Sequence, residues 1–219
     1  MLLDYSKFEK IVKFRKNKKQ KIIIIDKLLR KNYENIVYKS IKVSTKKPTK
    51  VFKKKGKIIK YEFNDKKNFH KTMKILYKEL NSKKTIKLLE KIFNIRGLYP
   101  DGNKLYSGLN ISTKNAILNE HVDFNYNNKL KKFRLLNLLF YLNKNYQNND
   151  GGKFYYRNNT NNQKKYILPL FNRAVIFMTN KHVPHGFTKV KKKRISLNLY
   201  FYTNKNLSLS KKKHKTLWN

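Results

Sequence analysis

The chain has no cysteine, which excludes disulfides, thiolate metal sites and a cysteine nucleophile and leaves histidine and carboxylate to hold any metal. Acidic residues are scarce: 12 Asp and Glu stand against 54 Lys and Arg, for a net charge of +42. Long apolar runs are missing as well. The longest aliphatic stretch, Ile22 to Ile25, is far too short to span a bilayer, and Asp4 and Lys7 interrupt the N-terminus where a secretory signal needs an unbroken apolar core. A cytoplasmic protein with no membrane span, in a reducing compartment, is the expectation.

What is present excludes disorder. Hydrophobic residues make up 39% and aromatics 14%, which is too much apolar and ring surface for an unstructured chain even with 30% charged residues. At 219 residues the chain can bury one good core. A single domain over 1–219 is therefore expected, with helical or mixed support over 1–95, a β core over 96–205 and a basic tail over 206–219.

The positive charge has two readings. Phosphate neutralisation and counterion release would favour a polyanionic partner such as nucleic acid or a ribosome. Lys, Asn and Ile also share adenine- and thymine-rich codons, so a biased genome could supply much of the excess with no partner at all, although such a bias would enrich Glu too. Lys runs are in any case more often solvated faces than binding sites.

Along the chain, Leu2, Leu3, Phe8, Ile11, Val12 and Phe14 fall loosely at helical spacing, and a basic break at Lys16 to Lys21 precedes the β-prone Ile22 to Ile25. Asp26 is placed to cap a short helix carrying Leu28 and Leu29. Lys46 to Lys60, with Pro48 and Gly56, reads as an exposed turn or hairpin tip. Phe69, Met73, Leu76, Leu80, Ile86, Leu89 and Phe93 keep a helical period, with Asn81-Ser82 as break and cap between two helices. After Pro100-Asp101-Gly102 the pattern changes to short strands separated by Asn- and Gly-rich turns. The clearest are Phe133 to Leu142, Gly152 to Tyr156, Arg173 to Met178 and Arg194 to Tyr202. The fold class is mainly β with N-terminal helices, α+β, and the strand spacing suggests a sandwich or jelly roll. The tail through Ser210 to His214 reads as exposed, with Trp218 able to tuck back.

His121-Val122-Asp123 puts two metal-competent side chains at i and i+2, on one face of an extended strand. His185, between Pro184 and Gly186, offers a third ligand. Two His and one carboxylate on one side of an iron leave three positions for a bidentate keto acid and dioxygen. His182 competes for that third place; Gly186, which permits close backbone approach, favours His185. Nine residues beyond His185, Arg194 to Tyr202 alternates cleanly, with Ile195, Leu197, Leu199 and Phe201 on one face and Arg194, Ser196 and Asn198 on the other. Either that polar face meets solvent, or it lines a barrel in which Arg194 holds a carboxylate and Ser196 adds a hydroxyl. Asn137 and Tyr141 are polar positions in the aliphatic run Phe133 to Leu142 and need partners, Tyr141 being the better ligand candidate.

In these residues the chain resembles the 2-oxoglutarate and Fe(II)-dependent oxygenase superfamily, in its prolyl 4-hydroxylase-like branch. The resemblance runs from Leu89 to Thr203. It rests on His121-Val-Asp-Phe-Asn125, Leu138-Leu-Phe-Tyr-Leu-Asn143, Gly151-Gly152, Leu168 to Phe177, His185-Gly186 and Arg194-Ile-Ser196. It implies a double-stranded β-helix with His121, Asp123 and His185 as catalytic metal ligands, Arg194 in a salt bridge to the 2-oxoglutarate C5 carboxylate, and Tyr141 directed at the same group. It also implies Fe(II), 2-oxoglutarate and O2, with ascorbate as reductant, in hydroxylation of an aliphatic C–H. A prolyl residue of a protein or peptide is the leading substrate, with a small molecule, glycan or nucleic acid as alternatives. From another class, a basic nucleic-acid-binding barrel without catalysis would use the Lys runs and stack bases on Tyr155 and Tyr156.

Overall fold

A computed structural model of the protein describes residues 1–14, 21–102, 106–157, 162–179, 183–206 and 212–218. In chain order the elements are α1 (Ser6–Phe14), β1 (Ile22–Asp26), α2 (Glu34–Ser44), β2 (Lys50–Lys54), β3 (Lys57–Phe63), α3 (Lys71–Leu80), α4 (Lys83–Phe93), β4 (Tyr99–Pro100) and β5 (Gly108–Ser112). There follow β6 (Leu118–Val122), β7 (Tyr126–Asn127), β8 (Lys132–Tyr141), β9 (Phe154–Arg157), β10 (Lys164–Ile167), β11 (Arg173–Met178), β12 (His185–Phe187), β13 (Arg194–Thr203) and β14 (Leu217–Trp218).

The strands form two antiparallel sheets. The larger runs β1-β11-β8-β13-β5-β3-β2, with β4 on β13 and β7 on β8; the smaller runs β10-β9-β12-β6-β14. This is the jelly roll expected from the strand spacing. Strand alternation decides what fills it. On β8, Leu136, Leu138 and Phe140 join the helices in the main core, together with Ala174 and Ile176 of β11 and Leu197, Leu199 and Phe201 of β13. The opposite faces of β8 and β11 present Leu139, Tyr141, Val175 and Phe177 inward, where they meet Phe154, Ile167 and Val183 in a second apolar cluster. A sheet covered on both faces needs apolar residues on both, and that explains the nearly continuous hydrophobicity of β8 and β11.

The helices buttress the outer face. α3 and α4 bury Met73, Leu76, Leu80, Leu88, Leu89, Ile92 and Phe93, and Ser82 caps α4 by accepting from the Thr85 backbone N–H at 3.2 Å. The Lys-rich segment is the exposed hairpin of β2 and β3. Two expectations change. The N-terminal helix begins only at Ser6, because Leu3 is held in a bridge to Leu29. Asp26 caps no helix: it ends β1 and accepts from Arg173, Nε to Oδ1 at 2.5 Å and Nη2 to Oδ2 at 2.8 Å. Leu28 and Leu29 are buried core residues beyond that strand.

Candidate functional site

His121 lies in β6 and Asp123 one residue past its end, while His185 opens β12. β6 and β12 are antiparallel neighbours with His185 opposite His121, and the two ring centroids are 4.5 Å apart. His185, more than sixty residues further along the chain, is thereby brought beside His121 and Asp123. The His121 Nε2 is 3.6 Å from Asp123 Oδ1 and the His185 Nε2 is 3.5 Å from Oδ2. Their ligating atoms all lie within 4.8 Å of one another, and all three residues are buried.

Each imidazole is oriented by its other nitrogen. His121 Nδ1 is 2.9 Å from the Asn119 carbonyl and His185 Nδ1 is 2.9 Å from the Val183 carbonyl. With Nδ1–H donating to a carbonyl, the Nε2 lone pair is left facing Asp123, the tautomer a metal requires. Burial pushes the His185 pKa down to about 4, despite the attraction of Asp123, so the ring is neutral at physiological pH. The Asp123 carboxyl goes the other way. Burial alone would raise its pKa, but Arg134 and the two imidazoles hold it well below the usual carboxylate range.

Arg134 and Asn137 are the partners that make this possible. Asp123 Oδ2 accepts from Asn137 Nδ2 at 2.8 Å and from Arg134 Nη2 at 3.2 Å. Arg134 also donates to Asn137 Oδ1 through Nη2 at 2.7 Å and Nε at 3.1 Å, and its guanidinium lies between the Phe124 and Tyr200 rings, 4.6 and 4.1 Å from their centroids. Since Oδ2 takes both hydrogen bonds, Oδ1 is the oxygen best placed to bind a cation. Sequence reasoning marked Asn137 as needing a partner but missed Arg134, which no local pattern distinguishes among so many basic residues.

A second polar group centres on Arg194. Arg194 is buried and donates through Nη2 to Tyr141 Oη at 3.0 Å and through Nε to the Gly152 carbonyl at 3.1 Å. Among the described residues it pairs with no carboxylate. Ser196 faces Tyr141 across the β8–β13 ladder, and its buried Oγ has no hydrogen-bond partner. Burial raises the Tyr141 pKa in spite of Arg194, so its hydroxyl stays protonated. A buried guanidinium without a counter-ion, a phenol and an orphaned hydroxyl fit one distal carboxylate of a dicarboxylic acid. Gly152 makes room for them. At φ +60° it adopts a backbone conformation that L residues rarely take, and a Cβ there would meet Arg194 Cδ at 3.1 Å.

Gly186 has the close approach expected of it, since a Cβ would collide with the Leu118 carbonyl and with Tyr155 Oη at 2.6 Å. Phe154 and Phe177 wall His185, with ring centroids at 5.6 and 4.5 Å. His182 lies outside the described residues. Asn198 is half-buried on β13. Tyr155 is buried, with its hydroxyl directed at the Leu118 carbonyl at 3.4 Å, and so is not available to stack a base. Among the described residues no helix is long and apolar enough to cross a membrane.

Residues 107–202 match the sequence model of the 2OG-Fe(II) oxygenase superfamily. No curated protein sequence matches the chain. Solved structures of similar fold include a Trichoplax adhaerens prolyl hydroxylase in complex with a hypoxia inducible factor oxygen degradation domain peptide fragment, at TM-score 0.68 and 18% identity over 95% of this chain and 96% of that one. A Phytophthora capsici prolyl 4-hydroxylase aligns at TM-score 0.66 and 14% identity, covering 95% and 68%. A Pseudomonas putida prolyl-4-hydroxylase aligns at 0.60 and 13%, covering 90% and 98%. The segment that contains His121, Asp123, His185 and Arg194 is thus a match to the 2OG-Fe(II) oxygenase superfamily, a family that uses Fe(II), 2-oxoglutarate and O2.

Proposed function

We propose that the chain is a single-domain Fe(II)- and 2-oxoglutarate-dependent dioxygenase that hydroxylates an aliphatic C–H bond, a prolyl residue of a protein or peptide being the leading substrate. In this reading His121, Asp123 and His185 hold the metal through Nε2, Oδ1 and Nε2. Arg194, Tyr141 and Ser196 hold the distal carboxylate of 2-oxoglutarate. When bound, iron and 2-oxoglutarate with O2 supply the oxidising chemistry, in which 2-oxoglutarate is converted to succinate and CO2 and one oxygen atom enters the substrate C–H bond.

The chain's own contribution is placement and charge. Nδ1 contacts to backbone carbonyls fix both imidazoles, and Arg134 and Asn137 keep Asp123 ionised and oriented. Phe154, Phe177 and Val183 keep water from the inner side of the site. The observation that carries the reading is the buried Arg194, which has hydrogen bonds but, among the described residues, no anion. The prolyl preference is supported by the fold shared with a prolyl hydroxylase in complex with a peptide fragment.

The test is 2-oxoglutarate binding by calorimetry to the metal-loaded chain and to Arg194→Met. Removing a buried cation from its carboxylate partner costs about 2–5 kcal/mol, so affinity should fall about 30-fold or more. Without 2-oxoglutarate the same variant should be about as stable as the parent, because removal of a buried charge that pairs with no carboxylate among the described residues offsets the loss of its hydrogen bonds to Tyr141 and Gly152. Equal affinity in the two proteins would remove Arg194 from the site.

A further inference from the structure

The last described segment, Lys212 to Trp218, returns to the strand that carries His121. Asn125, two residues after Asp123, fixes it: Asn125 Nδ2 donates to the Lys212 carbonyl at 3.0 Å, Asn125 N to the His214 carbonyl at 3.3 Å, and His214 N to Asn125 Oδ1 at 2.8 Å. β14 then pairs antiparallel with β6, Leu217 opposite Val122 and Trp218 opposite His121, and the Trp218 and His121 ring centroids are 5.0 Å apart. The contact is shallow. β14 engages two of the five residues of β6, and Leu217 and Trp218 remain 48% and 62% exposed.

A strand edge is read through backbone N–H and C=O groups at strand spacing, and such an edge takes another extended polypeptide. Here the edge lies beside two metal-ligand candidates, and the register sets the residue opposite His121 at the metal. We propose that the β6 edge is the docking surface for an extended polypeptide substrate, and that Lys212–Trp218 occupies it in cis until such a segment displaces it. The inference rests on the oxygenase reading and deepens it, by giving a polypeptide substrate its docking edge and a competitor for that edge within the chain. It also gives the tail a role: the tail covers that edge in the resting chain. Nearby, Tyr106, Phe124, Tyr126 and Lys129 form a cleft against the tail's Lys213 and Lys215, and Lys213 Nζ lies 3.7 Å from the Tyr126 ring centroid. That cleft widens when the tail leaves.

Trp218 is the only tryptophan, so intrinsic emission of the full chain reports tail position without turnover. The metal site is loaded anaerobically with Co(II), an open-shell ion whose visible absorption bands report binding and which quenches an indole at short range, with closed-shell Zn(II) as the non-quenching control. Docking predicts that Co(II) extinguishes most of the Trp218 emission and Zn(II) does not. A synthetic peptide of residues 212–218 carrying Trp218→Phe, added in trans, should restore emission with a red shift. Half-restoration is expected at about millimolar peptide, because a tethered segment has an effective concentration of that order, and a scrambled peptide should do less. Co(II) bands without quenching would overturn tail docking. Quenching that the peptide never relieves, or that an oligothymidine relieves in its place, would overturn the polypeptide assignment. Absent Co(II) bands would overturn the metal reading itself and the inference with it.

Discussion

Replacing Arg134 with Met tests the electrostatic account of the metal site where it is most exposed to failure. Arg134 is 5% exposed and is the cation that offsets the buried charge of Asp123 when no metal is bound. Met fills much of the slot between Phe124 and Tyr200, so the main loss is charge. Breaking a buried pair by removing one partner costs about 3–5 kcal/mol. An independent bound gives the same size. Left without Arg134, the folded state can escape by protonating Asp123, and at pH 7 that lifts the group about three units above its ordinary 3.8, at about 1.4 kcal/mol each, or about 4 kcal/mol. The escape becomes easier in acid. The unfolded carboxyl ionises above 3.8 while the folded one stays protonated, so the variant's deficit grows as pH rises and shrinks by about 1.4 kcal/mol for each unit it falls. Urea unfolding in EDTA at pH 7.0 and 5.5 should show a deficit of about 4 kcal/mol falling to about 2. Saturating divalent metal should recover part of it, because the ion supplies the missing positive charge. A deficit below about 1 kcal/mol at both pH values would mean that Arg134 does not hold Asp123.

Two further predictions concern the histidine ligand and the orphaned hydroxyl. The His185 pKa is pushed by burial to about 4, below the ordinary 6.5. The folded chain therefore binds fewer protons than the unfolded one between those values, and metal-free stability should fall as pH drops from 6.5 to 4 and level off below, by up to about 1.4 kcal/mol per unit from this group. A His185→Gln variant should lack that component of the pH profile; an unchanged profile would contradict the assignment. Ser196→Ala removes a buried hydroxyl with no partner, so thermal stability without 2-oxoglutarate should change by less than about 1 kcal/mol while 2-oxoglutarate affinity falls about 5- to 10-fold. Unchanged affinity would free Ser196 from that role.

The elements most legible in the sequence are those whose side-chain period matches a two-sided environment. β13 is the clearest. Its Leu197, Leu199 and Phe201 face the helices while Arg194 and Ser196 face inward, and the alternation alone separates the two sets. α3 and α4 are equally legible because Ser82 interrupts an apolar stripe at a capping position. α2 is not, since two of its four buried positions, Ser40 and Ser44, are polar, and their hydroxyls bond to the carbonyls of Val37 and Ser40 at 2.6 and 2.8 Å. Asp26 is illegible for a related reason: a local cap signal competes with a distant partner, and Arg173 is 147 residues away. At the site, the ligand-type residues and Arg194 stand out by chemistry and spacing. Arg134 and the Asn125 clamp on the tail depend on chain reversals that no periodicity encodes.

The most direct test of the central claim is succinate formation from 2-oxoglutarate by anaerobically purified protein, loaded with Fe(II) and ascorbate and then exposed to O2, beside a His185→Ala control. The account predicts O2-dependent succinate from the parent chain, even slowly and without a second substrate, and none above background from the variant. A parent chain that binds Fe(II) and 2-oxoglutarate yet forms no succinate, or a His185→Ala protein that forms as much, would contradict it.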